Sequence, residues 1–571
     1  MKYVLPGMPD LARRLAVARG DEPADLVIRG ARVFSVFTRE WLDGDLAIAD
    51  GFVAGLGDYD GTEILELSGR YLVPGFIDAH MHLESSKLLV DEFARLVLPL
   101  GTTAVVADPH EIANVLGTDG VHWLADLCDD IPLDVFFMAS SCVPASEFES
   151  PRRPLLPGDL EGLLRRRRVI GLAEMMNFPG VVSGSESELA KLALPGATHV
   201  DGHAPSVLGK ALNAYAAAGI RSDHEMSTIE EGRERLRAGM WVLIREASGA
   251  RNLHALLPLV HEFGPHRLAF CTDDREPEHI AEEGHINSMV RAAVAGGVSP
   301  EDALVMASFN PAQWHGLRDL GALAPGYQAD VLVLPDLERF VPELVLKAGR
   351  PVEAVRKLEV PEWVRHTVRI RPLATNDFSV PWVGDGGARV IGIVPDQIVT
   401  ESLVDEPRVE GAKAVADPER DLLKIAVVER HLGTGRIGLG FVRGFGLRSG
   451  ALASTVAHDA HNVVVVGVKD DDMLRAVRRL SDTGGGVVVV DGGIVKAELK
   501  LPIAGLLSDA ALDEVIASSN ACLAAARALG CELPSPFQTM AFLALSVIPS
   551  LKITDRGLVD VDRFQLVPLQ A

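Results

Sequence analysis

The prediction of fold and function for this 571-residue chain starts from the stretch Phe76-Ile77-Asp78-Ala79-His80-Met81-His82. Its apolar residues predict a buried strand that ends in two histidines at alternate positions. Side chains two residues apart on a strand lie on the same face of the sheet. His80 and His82 can therefore bind one ion together, although a His-x-His pair also occurs by chance.

Beyond this strand, apolar strands alternate with helical segments over about 240 residues. Examples of the strands are Thr103-Ala104-Val105-Val106-Ala107, which a helix at 111–116 follows, and Val169-Ile170-Gly171-Leu172-Ala173. The alternation predicts an α/β fold in which parallel βα units close into a (β/α)8-type barrel over residues 74–315. The chemistry of such barrels lies on loops at the C-terminal ends of the strands.

Four further residues of ligand type come directly after predicted strands: Glu174, His203, His224 and Asp273. Taken singly, a histidine at a strand end is most often a hydrogen-bonded structural residue, and a carboxylate there is most often a helix cap. Six such residues at one face of one barrel are better explained by a shared metal site. Imidazole and carboxylate ligands suit Zn, Mn or Fe(II).

The two flanks of the barrel predict further units. Short strands broken by Gly and Asp occupy residues 24–55, and the segment 321–334 has the same turn-then-strand pattern. Because these strands are too few to close a core alone, residues 1–73 and 316–380 are predicted to form one small β-sandwich. Residues 381–571 combine strands with a helical tail, which predicts a C-terminal α/β domain.

Charge and cysteine usage restrict the class of protein. The chain has 55 Lys and Arg against 79 Asp and Glu, a net charge of −24, which disfavours nucleic acid and membranes as partners. Its 5 cysteines include no Cys-x-x-Cys pair, so neither a disulfide framework nor a thiolate zinc site is expected. Residues 1–7 do not have the features of a secretion signal, and no apolar run is long enough to span a bilayer. We therefore expect a soluble, cytoplasmic protein.

Residues 73–82 resemble the opening signature of the amidohydrolase superfamily, and the flanking strands resemble its small β-sandwich. The similarity is closer to one family within it, the bacterial adenine deaminases, and it extends over nearly the whole chain. The segments that carry it are 82–86, 108–115, 174–181, 201–203, 222–225, 272–275, 457–462 and 501–506.

The resemblance implies hydrolytic deamination of adenine to hypoxanthine and ammonia at a centre of two divalent ions, with Mn²⁺ or Fe²⁺ expected and Zn²⁺ also compatible. It implies that His80, His82 and Asp273 bind one ion and that His203 and His224 bind the other. Glu174 stands where many superfamily members have a bridging carboxylated lysine. Asp273 is expected to pass a proton to the leaving amine, and Glu174 or a nearby Glu is expected to protonate N1 of adenine. A homo-oligomer, dimer or tetramer, is also expected.

A wider set of residues is predicted to contact the substrate or to support the ligands: Glu84, Asp108, His110, Glu111, Asn177, Glu225, Asp274, His458 and His461. Asp274 directly follows Asp273, so on a strand its side chain would point to the opposite face. The segment with His458 and His461 has two interpretations, a surface loop or a loop that covers the barrel mouth.

Two alternatives to deamination remain at this point. A cyclic-amide hydrolase of the dihydroorotase or hydantoinase type shares the His-x-His pair but generally keeps the bridging lysine, whereas the lysine nearest here, Lys191, lies in a helix-like stretch. A non-catalytic scaffold with the same fold is disfavoured because all six ligand positions are filled. Metal content and ammonia release from purines and cyclic amides would separate the three.

Overall fold

Eight parallel strands form the centre of the protein in a computed structural model that describes residues 8–352, 354–384, 386–395 and 397–571. Strands β1 to β5 pair in chain order, and so do β6 to β8. Hydrogen bonds from Arg221 N to Val200 O and from Asp273 N to His80 O join the two groups, so the predicted barrel is confirmed. The strands are β1 (Phe76–Met81), β2 (Thr102–Ala107), β3 (Asp134–Ala139), β4 (Val169–Met175), β5 (Val200–Gly202), β6 (Ser222–Asp223), β7 (Trp241–Arg245) and β8 (Leu268–Cys271).

Helices surround these strands, and β1, β2 and β8 are buried at every position. Burial on both faces explains why the strands read as continuous apolar runs rather than as an alternation. The helices between and after the strands are Val90–Val97, His110–Leu116, Thr118–Leu127, Pro157–Leu164, Phe178–Ser183, Glu186–Leu192, Gly209–Ala217, Ile229–Arg237, Leu253–Leu256, Pro258–Phe263, Pro277–Glu283, Ile286–Ala295, Pro300–Ala307 and Phe309–Trp314.

The chain on both sides of the barrel builds one β-sandwich, as expected. Val331–Leu334 pairs antiparallel with Tyr71–Pro74, so strands from before and after the barrel share a sheet. Ile28, Leu46 and Val331 belong to a buried cluster that contains side chains of both sheets. One sheet contains Ala24–Arg29, Asp45–Ala49, Phe52–Gly57 and Gly61–Glu66; the other contains Arg32–Ser35, Glu40–Asp43, Tyr71–Pro74, Val331–Leu334, Leu344–Lys347 and Arg350–Pro351; helix Met8–Arg19 precedes both.

The C-terminal region is built on an eight-stranded, mainly antiparallel sheet with helices packed against it. Its strands, in spatial order, are Thr400–Asp405, Ala388–Ile393, Ile437–Arg443, Leu423–Val428, Val463–Gly467, Ala451–Ser454, Gly486–Asp491 and Ile494–Lys500. Two small sheets of three strands each accompany it. The first contains Val380–Pro381, Lys413–Val415 and Arg408–Glu410, and the second contains Leu551–Thr554, Gly557–Asp560 and Gln565–Val567. The helices are Asp470–Thr483, Leu512–Ala528 and Pro536–Phe542.

This C-terminal region packs against the barrel at the end where the strands finish. Ser508 N donates to Lys87 O at 2.8 Å, and Ser519 Oγ donates to Glu278 Oε1 at 2.7 Å. A single buried apolar cluster contains Ile112 of the barrel and Leu545 of the C-terminal region. The loops that were predicted to carry the chemistry are therefore covered by another part of the same chain.

Within the part of the chain that is described, no helix combines the length and the apolar character needed to cross a bilayer. The expectation about a secretion signal concerns residues 1–7, which lie outside the described residues.

Candidate active site

His80 and His82 meet Asp273 where the barrel closes. β1 carries His80 as its fifth residue and leads directly into His82, and Asp273 comes two residues after β8. His82 Nε2 lies 3.1 Å from Asp273 Oδ1, and His80 Nε2 lies 3.9 Å from the same oxygen. One ligand atom from each of the three residues falls within 4.8 Å of the other two, so they can bind one ion.

Glu174, in β4, lies between this group and the other two predicted histidines. Its Oε1 is 3.4 Å from His82 Nε2 and 3.8 Å from His80 Nε2. Its Oε2 is 2.6 Å from His203 Nδ1 and 3.3 Å from His224 Nε2. The structure thus brings all six predicted ligands together, with one carboxylate between two sets of histidines.

These donors fit divalent metal ions. His80 Nε2 is buried and has no hydrogen-bond partner among the described residues, a state that would cost roughly 1–3 kcal/mol if nothing used its lone pair. His80, Glu174 and His224 form a second group of ligand atoms within 4.8 Å of one another. Imidazole nitrogen and carboxylate oxygen are ligands that Mn, Fe and Zn accept.

The electrostatics of the site keep the central Glu174 carboxylate ionised. Burial opposes ionisation of Glu174, but the charge of His203 and hydrogen bonds from the surrounding histidines outweigh it and hold its pKa well below the usual value. Burial and the neighbouring His224 lower the pKa of His80 to about 3, so its imidazole is neutral as a metal ligand must be. Burial also disfavours the charged form of His82, but Asp273, Asp274 and Glu174 raise its pKa well above 6.5, so an ion that His82 holds would displace its proton.

Arg245, at the end of β7, is a functional residue that the sequence reasoning missed. Its buried Nη1 donates to Asp273 Oδ2 at 2.8 Å and also contacts Glu225 Oε1. Burial raises the pKa of Asp273, but the hydrogen bond from His82 and the charge of Arg245 reverse this and place it well below its usual range. The same guanidinium outweighs burial at Glu225 and lowers that pKa to about 2. A cation directly after an apolar strand was the available signal.

Asp108 and His110 lie beside the predicted ligands His82 and Glu174. The main-chain oxygen of Asp108 is 3.0 Å from His82 Nδ1 and can only accept, which leaves His82 Nε2 facing the carboxylates. The His110 ring lies between two carboxylates, with Nδ1 3.1 Å from Asp108 Oδ2 and Nε2 2.9 Å from Asp459 Oδ1. His110 Nδ1 is 3.7 Å from Glu174 Oε1, so the ring lies beside the central carboxylate without a hydrogen bond to it.

The segment 457–462 of the C-terminal region lies over the barrel mouth, which decides between its two interpretations. His458 Nε2 is 3.6 Å from Asp274 Oδ1, and His461 Nε2 is 3.6 Å from Glu111 Oε2. The His458 ring is stacked on Phe542, with centroids 4.8 Å apart and planes inclined by 14°. Residues far apart in the sequence therefore close the site.

The expectation that Asp274 points away from Asp273 is wrong. The strand ends at Cys271, and Asp273 has a left-handed backbone with φ 53°, so the alternation of a strand no longer applies. Both carboxylates border the same cavity. Ser85 Oγ connects Asp274 to Glu111, 3.0 Å from Glu111 Oε1, and Glu84 Oε1 accepts from Ile112 N at 3.0 Å.

Asn177 has a different position from the rest of the predicted set. Its side chain caps helix Phe178–Ser183 by accepting from Gly180 N at 3.0 Å, and it donates to Glu188 Oε1. It is not among the described residues that line the cavity. Lys191 pairs with Glu188 at 3.0 Å on helix Glu186–Leu192, so Glu174 and not a lysine lies between the two sets of histidines.

These residues border one small cavity. The barrel contributes mostly histidines and carboxylates, and the C-terminal region contributes mostly apolar side chains, which the sequence reasoning did not identify. The lining residues are His82, His110, Glu174, Met176, His203, His224, Glu225, Asp273 and Asp274 from the barrel, and Ile398, His458, Asp459, Phe542 and Leu545 from the C-terminal region.

Comparison with known proteins agrees with this architecture. Residues 71–369 match the model of the amidohydrolase family, and residues 397–565 match that of the adenine deaminase C-terminal domain. The barrel, its flanking sandwich and its His and carboxylate centre define the chain as an amidohydrolase.

Curated relatives specify the family within this class. An adenine deaminase of Desulfatibacillum aliphaticivorans is 46% identical over 564 residues, covering 97% of this chain and 99% of its own. Adenine deaminase 1 of Rhizobium meliloti is 47% identical and covers 98% of this chain and 99% of its own. The adenine deaminase of Archaeoglobus fulgidus is 46% identical and covers 98% of this chain and 98% of its own. The chain belongs to the adenine deaminase family.

Proposed function

We propose that this enzyme hydrolyses adenine to hypoxanthine and ammonia. The observation that carries the proposal is the Glu174 carboxylate between two sets of histidines, inside a covered cavity of a chain of this family. Water attacks C6 of the ring, the C6–N bond breaks, and ammonia leaves.

Two divalent ions fit the donor set, and Mn²⁺ or Fe²⁺ is the proposed pair, with Zn²⁺ as a further option. His80, His82 and Asp273 would hold one ion, His203 and His224 the other, and Glu174 would contact both. A bound divalent ion lowers the pKa of water from 15.7 towards about 7 and so supplies hydroxide at neutral pH.

The protein's own side chains move the protons. Asp273 is ionised and held by Arg245, so it can accept the proton of the attacking water and deliver it to the leaving amine. Glu174 and Glu225 both border the cavity and are ionised, so the one that protonates N1 of adenine would first take a proton from the attacking water. One proton of that water then goes to N1, and the other goes through Asp273 to the leaving amine. The remaining wider-set residues would hold this arrangement in place. Asp108 orients His82, His110 lies beside Glu174, and the 457–462 segment excludes water.

The test is product formation by the metal-loaded protein. The full chain, reloaded with Mn²⁺ after chelation, should form hypoxanthine and ammonia from adenine and should leave dihydroorotate and hydantoin intact. Ring opening of a cyclic amide without adenine turnover would favour the cyclic-amide alternative. No turnover of any compound by a fully loaded sample would favour a non-catalytic scaffold.

Three further statements are part of the proposal. We propose a division into a sandwich of residues 1–73 and 316–380, a barrel of residues 74–315 and a C-terminal domain of residues 381–571. We propose a cytoplasmic location, which the five free, buried cysteines support. We also propose a homo-oligomer, a dimer or tetramer, which light scattering on the purified chain would test.

A further inference from the structure

The C-terminal part of the cavity has a chemistry suited to the flat face of a base. We call Ile398, Phe542 and Leu545 the apolar wall. All three border the cavity on the side of the C-terminal region, and the barrel's histidines and carboxylates border it on the other side. A purine presents polar groups at its edge and an apolar π-face on each side, and aromatic and aliphatic side chains bind such faces.

The apolar wall comes from chain segments that are far apart in the sequence, so contacts behind it must fix the relative positions of these segments. Lys552, on strand Leu551–Thr554, is fully buried, and its Nζ donates to Ile398 O at 2.7 Å and to Phe542 O at 3.1 Å. One side chain thus ties two residues of the wall through their main chains. Main-chain bonds from Ile553 N to Leu543 O and from Thr400 N to Pro549 O support the same arrangement.

The chemistry of Lys552 suits a fixed tie. Its Nζ donates to two neutral carbonyls, those of Ile398 and Phe542, and burial lowers its pKa to about 7. The ammonium has three protons and the neutral amine has two, so either form can serve both carbonyls. The tie therefore persists across neutral pH.

We propose that Lys552 is a positioning residue for substrate binding: it fixes the apolar wall, and the wall binds the face of the adenine ring. This inference rests on the proposed function. Since the wall contacts the base in the ground state and the transition state alike, losing it should weaken binding rather than slow the chemical step.

The first experiment replaces Lys552 by methionine, which has a similar length but no donor. In the metal-loaded enzyme, Lys552→Met should raise KM for adenine about tenfold, which lies within the effect of losing stacking of a base on an aromatic side chain. It should leave kcat nearly unchanged, because uniform binding is lost. The dissociation constant of hypoxanthine, measured by calorimetry, should rise by a similar factor. This split between KM and kcat would not arise from a merely structural role.

Lys424→Met is the matched control. Lys424 is also a buried lysine of the C-terminal sheet, 2% exposed, but it donates to Phe378 O and pairs with Asp470, away from the cavity. Lys424→Met should lower thermal stability and leave KM unchanged. Equal changes of KM in both variants would overturn the inference, and so would an unchanged KM in Lys552→Met.

Two further results keep the inference falsifiable. If Lys552→Met does not fold, Phe542→Leu and Ile398→Ala should show the same rise in KM, and an unchanged KM in both would overturn the role of the wall. Hypoxanthine binding separates this inference from the proposed function. A wild-type enzyme that forms no hypoxanthine from adenine overturns the proposed function. A hypoxanthine affinity that does not change in Lys552→Met, or in the two wall variants, overturns the inference alone.

Discussion

Replacing Asp273 by asparagine separates metal binding from proton transfer. Asp273 Oδ1 lies 3.1 Å from His82 Nε2 and Oδ2 lies 2.8 Å from Arg245 Nη1, so the carboxylate serves both neighbours at once. Asparagine has only one side-chain oxygen, so its NH₂ group must face either His82 Nε2 or Arg245 Nη1, and that neighbour loses its acceptor. Breaking a buried ion pair costs about 3–5 kcal/mol, which is enough to weaken binding of the ion that Asp273 would share with His80 and His82.

The assay is steady-state ammonia release, with metal content measured on the same sample. If Asp273 also transfers the proton, the Asp273→Asn enzyme reloaded with two metal equivalents should lose about 10²–10⁴-fold in kcat. If it only holds the ion, excess Mn²⁺ should restore turnover, and that result would refute the proton-transfer role.

Asp78→Asn is the control for the backbone around Asp273. Asp78 is fully buried in β1 and accepts from Thr272 N at 3.0 Å, next to Asp273, but it does not line the cavity among the described residues. Burial, above all, raises its pKa to about 7, so its carboxyl group resembles an amide more closely than Asp273 does. This variant should keep most of its kcat. Asp274→Asn should also lose less activity than Asp273→Asn; the reverse order would move the proton-transfer role to Asp274.

Three further changes test other parts of the site. Glu174→Gln should keep the fold and lower kcat by several orders of magnitude, because an amide cannot serve both sets of histidines; near-normal turnover of a fully loaded variant would remove Glu174 from this role. Arg245→Met leaves Glu225 and Asp273 buried without their cation and should reduce the free energy of unfolding by about 3–5 kcal/mol in denaturant titrations; an unchanged midpoint would contradict the ion-pair argument. Lys552 has its pKa lowered from 10.5 to about 7 by burial, so between these values the unfolded chain holds a proton that the folded chain has lost. The free energy of unfolding of the wild type, relative to Lys552→Met, should therefore rise with pH across this window by up to about 1.4 kcal/mol per unit, and a flat difference would show that Lys552 is not desolvated.

Much of the site could be predicted because parallel barrels place strand ends on one face. His80, His82, Glu174, His203 and Asp273 could be identified from their positions after apolar runs, without any knowledge of distances. Local rules failed where the backbone left regular structure. Strand alternation predicts the wrong side for Asp274, because the strand ends at Cys271.

The sequence by itself determined the barrel, the shared sandwich and the identity of the donor atoms, since these depend on periodicity and on residue type. Only the tertiary structure decided which partners those atoms meet. The contacts of Arg245 with Glu225 and Asp273 identify it as part of the site. The cover of the cavity is formed by Ile398, Phe542 and the 457–462 segment, which only the packed structure shows. These contacts join residues tens to hundreds of positions apart, and no local pattern encodes such pairs; they form only when the C-terminal sheet packs on the barrel mouth and excludes water from both.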